Sequence, residues 1–415
     1  MSQEQILLVE DQKSMAMLLQ AHLVQCCTNY EVLLAHTLHD AKELLEHSNS
    51  IRLCLTDLTL PDSSDYEIVD LLREHKITTV VFTGSYSKHV RQRVFDARVA
   101  DYIIKDGKIS IDFAVSSVKS LLQNSENHIW MVSDNVKSIQ RTQGLLRIQR
   151  YQMKVFETYE RALQELSFSV PDLLIVERAA NTSQLSVYDF VRELRQQFSE
   201  QELPIVALES RDNLDRSIKL MKFGVSDLLS NNYEPEELYL RVKKNLAHSQ
   251  AYKEIKRISE TDGLTKIYNR RAFFQFAETE FSQFKKTEQS VFLIMADIDL
   301  FKRVNDQYGH QVGDQAIQLT AAYFNAVFSS SIVARFGGEE FVVFGTYDNK
   351  SEVLNLCETF RKEVESQSYA SVEVEFTVSQ GVSFGAETLD KMIAEADEAL
   401  YKAKEQGRNK VVVSV

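Results

Sequence analysis

Two adjacent glutamates follow two glycines in Arg335-Phe336-Gly337-Gly338-Glu339-Glu340-Phe341, and the apolar run Val342-Val343-Phe344 comes next. Ile332-Val333-Ala334 and Phe341 to Phe344 read as two β-strands. The glycine pair between them reads as a tight hairpin, whose centre needs φ > 0. Such a turn thrusts two carboxylates out of a buried scaffold, and neighbouring acids need a cation or a proton to offset their repulsion. A divalent metal beside a phosphate-bearing substrate meets that need; a solvated acidic hairpin tip is the plainer reading.

Other residues in the last third of the chain suit the same chemistry. Asp297 follows the apolar stretch Ser290 to Ala296. With Glu339 and the carbonyl of Ile298 it can bind Mg²⁺, which takes a few oxygen ligands alongside substrate phosphates. Lys404 and Arg408, four residues apart, are expected on one helix face, where two cations can grip a polyphosphate. Asn305 and Asp314 offer an amide and a carboxylate. A carboxylate accepts from both N1–H and the 2-amino group of guanine, whereas adenine presents a bare acceptor, so this pair predicts GTP over ATP. Singly these residues are a strand-end cap, a solvated face and a helix cap. Jointly they describe a nucleotide site.

A second constellation lies near the start. Ile6 to Val9, Val32 to Ala35, Leu53 to Thr56, Thr79 to Phe82 and Tyr102 to Ile104 are five apolar strand candidates alternating with amphipathic helices. That alternation implies a parallel sheet, with its polar site beyond the carboxyl ends of the strands. Glu10 and Asp11, Asp57, Thr83 and Lys105 stand there. Two acids can hold Mg²⁺, the third can serve as nucleophile for a phosphoryl group, and Thr and Lys can stabilise the phosphoryl oxygens.

The following segment repeats the first. Asp134, Glu177, Glu209 and Asn231 stand 120 to 126 residues after Asp11, Asp57, Thr83 and Lys105, the mark of an internal duplication. The pattern survives but the chemistry does not. Glu177 carries its carboxylate one methylene further out, Asn231 supplies no charge, and Glu209 adds a negative group where phosphoryl oxygens would sit. A structural adaptor is the expected role.

The 415 residues suffice for two to four domains. A net charge of −13 argues against nucleic acid. No apolar run is long enough to cross a bilayer and no signal peptide is evident, so a cytoplasmic protein without membrane insertion is expected. The four cysteines have no zinc-like spacing and are read as reduced thiols. From Pro235 the chain reads as one long helix with apolar residues at Leu238, Val242, Leu246, Tyr252, Ile255 and Ile258. Its first half is expected to dock on its own sheet and its second half to contact a second chain.

The first constellation, with Asp57-Leu58-Thr59-Leu60-Pro61-Asp62, resembles the receiver domain of two-component signalling. The resemblance makes Asp57 the phospho-acceptor, Tyr102 the aromatic switch beside Thr83 and Lys105, and a histidine kinase or phosphotransfer protein the donor; Asp106 stands where a proline is usual. The third segment opens with Asp262-Gly263-Leu264-Thr265 and contains Asp297-Ile298-Asp299-Leu300-Phe301-Lys302, the glycine hairpin and Gly407-Arg408-Asn409. It resembles the GGDEF family of diguanylate cyclases. That resemblance implies a palm-like α/β domain with a mainly antiparallel sheet, following two doubly wound five-stranded parallel receiver domains. It implies metal ligands Asp297, Ile298 and Glu339 for Mg²⁺ (or Mn²⁺), with Glu339 and Glu340 catalytic. Asn305 and Asp314 would contact guanine, Lys404 and Arg408 the phosphates, and Lys302 and His310 would lie near the nucleotide. The family's inhibitory Arg-x-x-Asp is replaced by Phe328 and Ser331.

The expected order is a receiver over 1–124, a degenerate receiver over 125–248, a helical linker over 249–260 and a cyclase over 261–415. The expected function is condensation of two GTP into cyclic di-GMP and two pyrophosphates by a homodimer, activated through Asp57. A catalytically silent nucleotide-binding scaffold is the alternative, and acceptance of ATP is opposed by Asp314.

Overall fold

A computed structural model describes residues 3–64, 66–84, 93–94, 97–177, 183–210 and 214–414. The chain divides into two units, Met1–Tyr252 and Lys253–Val415.

The first unit holds two five-stranded sheets. β1 (Glu4–Val9), β2 (Tyr30–Ala35), β3 (Ile51–Thr56), β4 (Thr78–Thr83) and β5 (Asp101–Ile104) lie in the order β2-β1-β3-β4-β5, every pairing parallel. Parallel strands covered on both faces read as continuous apolar runs, and β1 is buried from Ile6 to Val9 without a break. β6 (His128–Val132), β7 (Gln152–Phe156), β8 (Leu173–Glu177), β9 (Ile205–Glu209) and β10 (Asp227–Ser230) repeat that order one for one, again all parallel. The two sheets are tied together. Gln149 Nε2 donates to the Ala100 carbonyl (2.6 Å), the Arg150 guanidinium donates to the Arg52 carbonyl (3.2 Å), and Ile148 packs against the core of the first sheet.

The helix Pro235–Glu260 is continuous, as its lack of glycine and interior proline predicts. Leu238, Val242 and Leu246 are buried against the second sheet, whereas Ile255 and Ile258 are 67% and 63% exposed. The expected docking of the first half is found.

The second unit has a six-stranded sheet. β11 (Tyr268–Asn269), β12 (Val291–Ile298), β13 (Ile332–Gly337), β14 (Glu340–Thr346), β15 (Val378–Phe384) and β16 (Val411–Val413) take the order β11-β13-β14-β12-β15-β16. The four central strands are antiparallel and the two short edge strands pair in parallel. All eight residues of β12 are buried, which makes it the axis of the sheet. One face is covered by the helix Leu389–Glu405, which buries Leu389, Met392, Ala396, Ala399, Leu400 and Ala403 at three- and four-residue steps. The helices His310–Val327 and Lys350–Val372 cover the other, with Phe324 stacked on Phe360 at 3.7 Å.

Among the described residues no helix is long and apolar enough to cross a membrane.

Candidate functional site

Asp297 is the penultimate residue of β12 and sits directly across from Glu340 on β14 and Ser379 on β15. Its carboxylate is buried and pairs with Lys404 Nζ at 2.8 Å. Burial pushes this carboxyl up to about 6; Lys404 pulls it down, and the charges of Glu339 and Glu340 push it up again. Three acids and one lysine therefore converge where a buried strand meets a hairpin. The donor set fits a divalent cation, because the burial and repulsion that raise Asp297 are both relieved by a positive charge.

The hairpin departs from expectation in its detail. β13 runs through Gly337, so the turn consists of Gly338 and Glu339, and only Gly338 has a positive φ (49°). Glu339 stands in the turn itself, and its carbonyl accepts from the amide of Ile298 at 3.4 Å. Arg335 fixes the turn: its Nε donates to the Gly338 carbonyl (2.8 Å) and its Nη1 donates to Asp262 Oδ1 (3.1 Å). Asp262 also accepts from the amides of Leu264 and Thr265 and from the Thr265 hydroxyl. Burial opposes its charge, but these bonds outweigh it and hold the carboxyl below its usual value. The opening motif of the unit thus braces the hairpin through one arginine.

Lys404 lies in the last turn of its helix, over Asp297. Arg408 does not share that helix face. The helix stops at Glu405, and Arg408 stands in the following turn with φ 64°, opening onto a groove of about 950 Å³ beside Leu300 and Arg303. Gly407, with φ 110°, ends the helix where a side chain would strain it.

Asn305 lies on the helix Phe301–Tyr308 and Asp314 in the first turns of His310–Val327. The Asn305 side-chain oxygen lies against Gly313, the residue before Asp314, where an added Cβ would collide with it. Lys302 and His310, both exposed, lie on the same two helices. Leu300 precedes the first of these helices in a left-handed conformation and gives no side-chain cap; its carbonyl accepts from the Arg303 amide (2.8 Å).

Asp299, the second acid of the D-I-D run, has a separate place. It is buried and accepts from the hydroxyls of Thr377 and Ser379 (both 2.7 Å) and from the Asn409 amide (2.9 Å). Spacing alone gives Asp297 and Asp299 equal claim to the site; only the strand end separates them. Phe328 is core, 2% exposed and packed on Phe292 and Phe324.

In the first unit the carboxylates of Glu10, Asp11 and Asp57 offer oxygens within 4.8 Å of one another, the one such metal-holding trio found among the described residues. Lys105 Nζ bridges Glu10 (2.8 Å) and Asp57 (2.5 Å). Burial lifts the Glu10 carboxyl above its ordinary value although Lys105 pulls it down. Burial also opposes the Lys105 charge, yet its bonds to Asp57 and Glu10 raise it overall. Thr83 is fully buried and Tyr102 half-buried, on the adjacent strands β4 and β5.

The second sheet has no such trio among its described residues. Ser133 takes the place of Glu10 after the first strand, and its hydroxyl donates to Glu177 (2.7 Å). Glu209, expected as an added negative group where phosphoryl oxygens would sit, is paired with Arg216 at 2.7 Å. That partner lies in the next helix and left no signal in the offsets.

Comparison with known proteins follows this geometry. The family model described as "Diguanylate cyclase, GGDEF domain" matches residues 259–410, and that of the response regulator receiver domain matches 6–111. The response regulator PleD of Caulobacter vibrioides is 28% identical over 313 residues, covering 72% of this chain and 68% of PleD. The diguanylate cyclase DgcM of Escherichia coli is 32% identical over 183 residues, covering 43% and 44%. A crystal structure of a two-component response regulator with a GGDEF domain is 30% identical, covers 60% of this chain and 99% of its own, and superposes with a TM-score of 0.52.

Proposed function

This chain belongs to the response regulators that carry a GGDEF domain, and from that premise we propose that it is a diguanylate cyclase condensing two GTP into cyclic di-GMP and two pyrophosphates. The observation that carries the reading is the Asp297–Lys404 pair set across from Glu340 on the neighbouring strand. Asp297, the Ile298 carbonyl and Glu339 would hold Mg²⁺ or Mn²⁺, with Glu340 supporting them. A cation held there lowers the pKa of the attacking 3′-hydroxyl and offsets charge on the departing pyrophosphate. Lys404 and Arg408 draw the β- and γ-phosphates to one side, so that the α-phosphate faces the hairpin. Glu339 would also accept the proton of the 3′-hydroxyl. Lys302 and His310 flank the nucleotide, and Asn305 and Asp314 read guanine. One domain supplies one GTP, so two copies must face each other before either α-phosphate meets a hydroxyl.

Incubation of the purified chain with GTP and Mg²⁺, with separation of the products, tests the reading directly. Cyclic di-GMP is expected, and its absence with or without Mn²⁺ would leave a nucleotide-binding scaffold. Asp314→Ser should lower the preference for GTP over ATP roughly tenfold, since two guanine donors lose their shared acceptor. An unchanged ratio means guanine is read elsewhere.

The family's inhibitory arginine position is filled by Phe328, a core side chain, and Ser331 takes the aspartate's place. Progress curves with and without added product should therefore superimpose at concentrations up to those of the substrate. Strong inhibition by trace product would contradict this.

For regulation, we propose that Asp57 accepts a phosphoryl group from a histidine kinase or phosphotransfer protein, with Glu10 and Asp11 holding its metal. The second sheet acts as an adaptor. The Gln149 bond to Ala100, two residues before Tyr102, supports a route from β5 into that adaptor.

A further inference from the structure

We infer that Asn409 is a positioning residue for the triphosphate: it fixes the turn that presents Arg408. The inference rests on the reading of Arg408 as a phosphate contact. Gly407, Arg408 and Asn409 take φ of 110°, 64° and 48°, three consecutive residues in a region that L side chains other than asparagine rarely adopt. A conformation of this kind persists only where its surroundings over-determine it.

Asn409 supplies those surroundings with three bonds to two separate anchors. Its amide donates to Asp299 Oδ2 (2.9 Å), and Asp299 is itself buried and bonded to Thr377 and Ser379 beside β12. Its side-chain oxygen accepts from Arg361 Nη1 (2.9 Å), and its side-chain nitrogen donates to Glu365 Oε1 (2.8 Å). Arg361 and Glu365 lie on the helix Lys350–Val372 and bond each other at 2.9 Å. The turn is thereby clamped between the strand end that bears Asp297 and a core helix.

Arg408 has no comparable tether of its own. Its amide donates to the Ala403 carbonyl (3.0 Å), but among the described residues its guanidinium pairs with no carboxylate, whereas Lys404 is paired with Asp297. The position of the guanidinium is therefore set by the backbone of the turn, and the turn by Asn409.

The experiment uses the full chain with Mg²⁺ and two probes: α,β-methylene GTP, which carries the triphosphate, and GMP, which lacks the β- and γ-phosphates. Asn409→Gly keeps the left-handed backbone accessible and removes only the side-chain bonds. It is expected to weaken α,β-methylene GTP about five- to tenfold, to leave GMP unchanged, and to add nothing to Arg408→Ala. Equal weakening of both probes, or a full additional loss on the Arg408→Ala background, would overturn the inference, because either marks a general lesion of the domain. So would unchanged triphosphate affinity in Asn409→Gly while Arg408→Ala loses it. If Arg408→Ala itself binds both probes normally, the phosphate role of Arg408 falls, and the inference with it.

Discussion

Glu339→Ala and Asp297→Ala are each expected to lower cyclic di-GMP formation by about a thousandfold or more while the chain stays folded. The size follows from removing a preorganised charge at the point where transition-state charge develops, which costs about 10²–10³ even for one neutral donor. Folding should survive because neither residue is core. Glu339 occupies the turn, and Asp297, though buried, is a polar residue near the end of β12 that adds no apolar side chain to the core. The effect on stability has a definite sign. Burial raises the Asp297 carboxyl from an ordinary 3.8 to about 6 in the folded chain. Between those values the native state binds more protons than the unfolded one, so metal-free stability falls as pH rises through that window. Asp297→Asn should remove this slope and be at least as stable as wild type at pH 8 without metal. Added Mg²⁺ should raise the melting temperature of the wild type more than that of Asp297→Asn, which keeps only the Glu10, Asp11 and Asp57 trio for the ion. The same titration predicts an acid limb in turnover near pH 6 that moves to lower pH as Mg²⁺ is increased, since proton and cation compete for one carboxylate. Near-normal turnover in either alanine variant, or an Mg²⁺ response equal in wild type and Asp297→Asn, would remove these residues from the metal site.

Beryllium fluoride or a small phosphoryl donor should raise the cyclase rate about a hundredfold in the wild type and in Glu177→Ala, and leave Asp57→Ala unchanged. On the proposed reading each cyclase domain holds half a site, so turnover would follow how often two halves meet. A two-fold contact is made twice in a dimer. Strengthening each copy by about 1.4 kcal/mol multiplies association by about a hundred while dimers are scarce. On the same reading the phosphoryl group enters at Asp57, because the trio Glu10, Asp11 and Asp57 can hold a metal and Lys105 already touches the proposed acceptor at 2.5 Å. Glu177 accepts from the Ser133 hydroxyl, and among the described residues it belongs to no metal-holding trio and pairs with no lysine. A phosphoryl group on Asp57 would redirect Lys105 and the buried Thr83 hydroxyl. Tyr102 on the next strand can answer that change, and Gln149 holds the Ala100 carbonyl two residues away. Molecular mass measured alongside the rate separates two routes. Activation with a rise in mass fits assembly, and activation at constant mass places the switch in domain orientation. Equal activation of Asp57→Ala would overturn the assignment of the acceptor.

The local chemistry was open to reading because it is written locally. Continuous apolar runs of four to six residues alternating with amphipathic stretches specify parallel strands and their helices. The site residues then follow as the polar residues just past each strand. The strands came out one to three residues longer than expected, since β pairing extends until the ladder runs out of partners rather than until the apolar run ends. The repeat was legible for the same reason: a duplicated fold preserves its periodicity even where its polar residues have drifted.

What the sequence by itself determined is therefore the inventory and its order. It settled two sets of acids with their lysines, the amide and carboxylate proposed to read guanine, a glycine hairpin, and strands whose ends carry them. Tertiary structure decided which members of each set meet. Lys404 lies over Asp297 because the buried face of Leu389–Glu405 packs on the sheet, a register fixed by summed apolar contacts across more than a hundred residues. Arg408 leaves the helix because Gly407 and the bonds of Asn409 favour a left-handed turn over one more helical residue. Asp299 turns away from Asp297 because β12 ends between them, and Glu209 loses its bare charge to Arg216 from a neighbouring helix. Periodicity and turn chemistry act over a few residues, so they can be read along the chain. Pairing between distant side chains depends on where close-packed elements come to rest, and that is a property of the whole core.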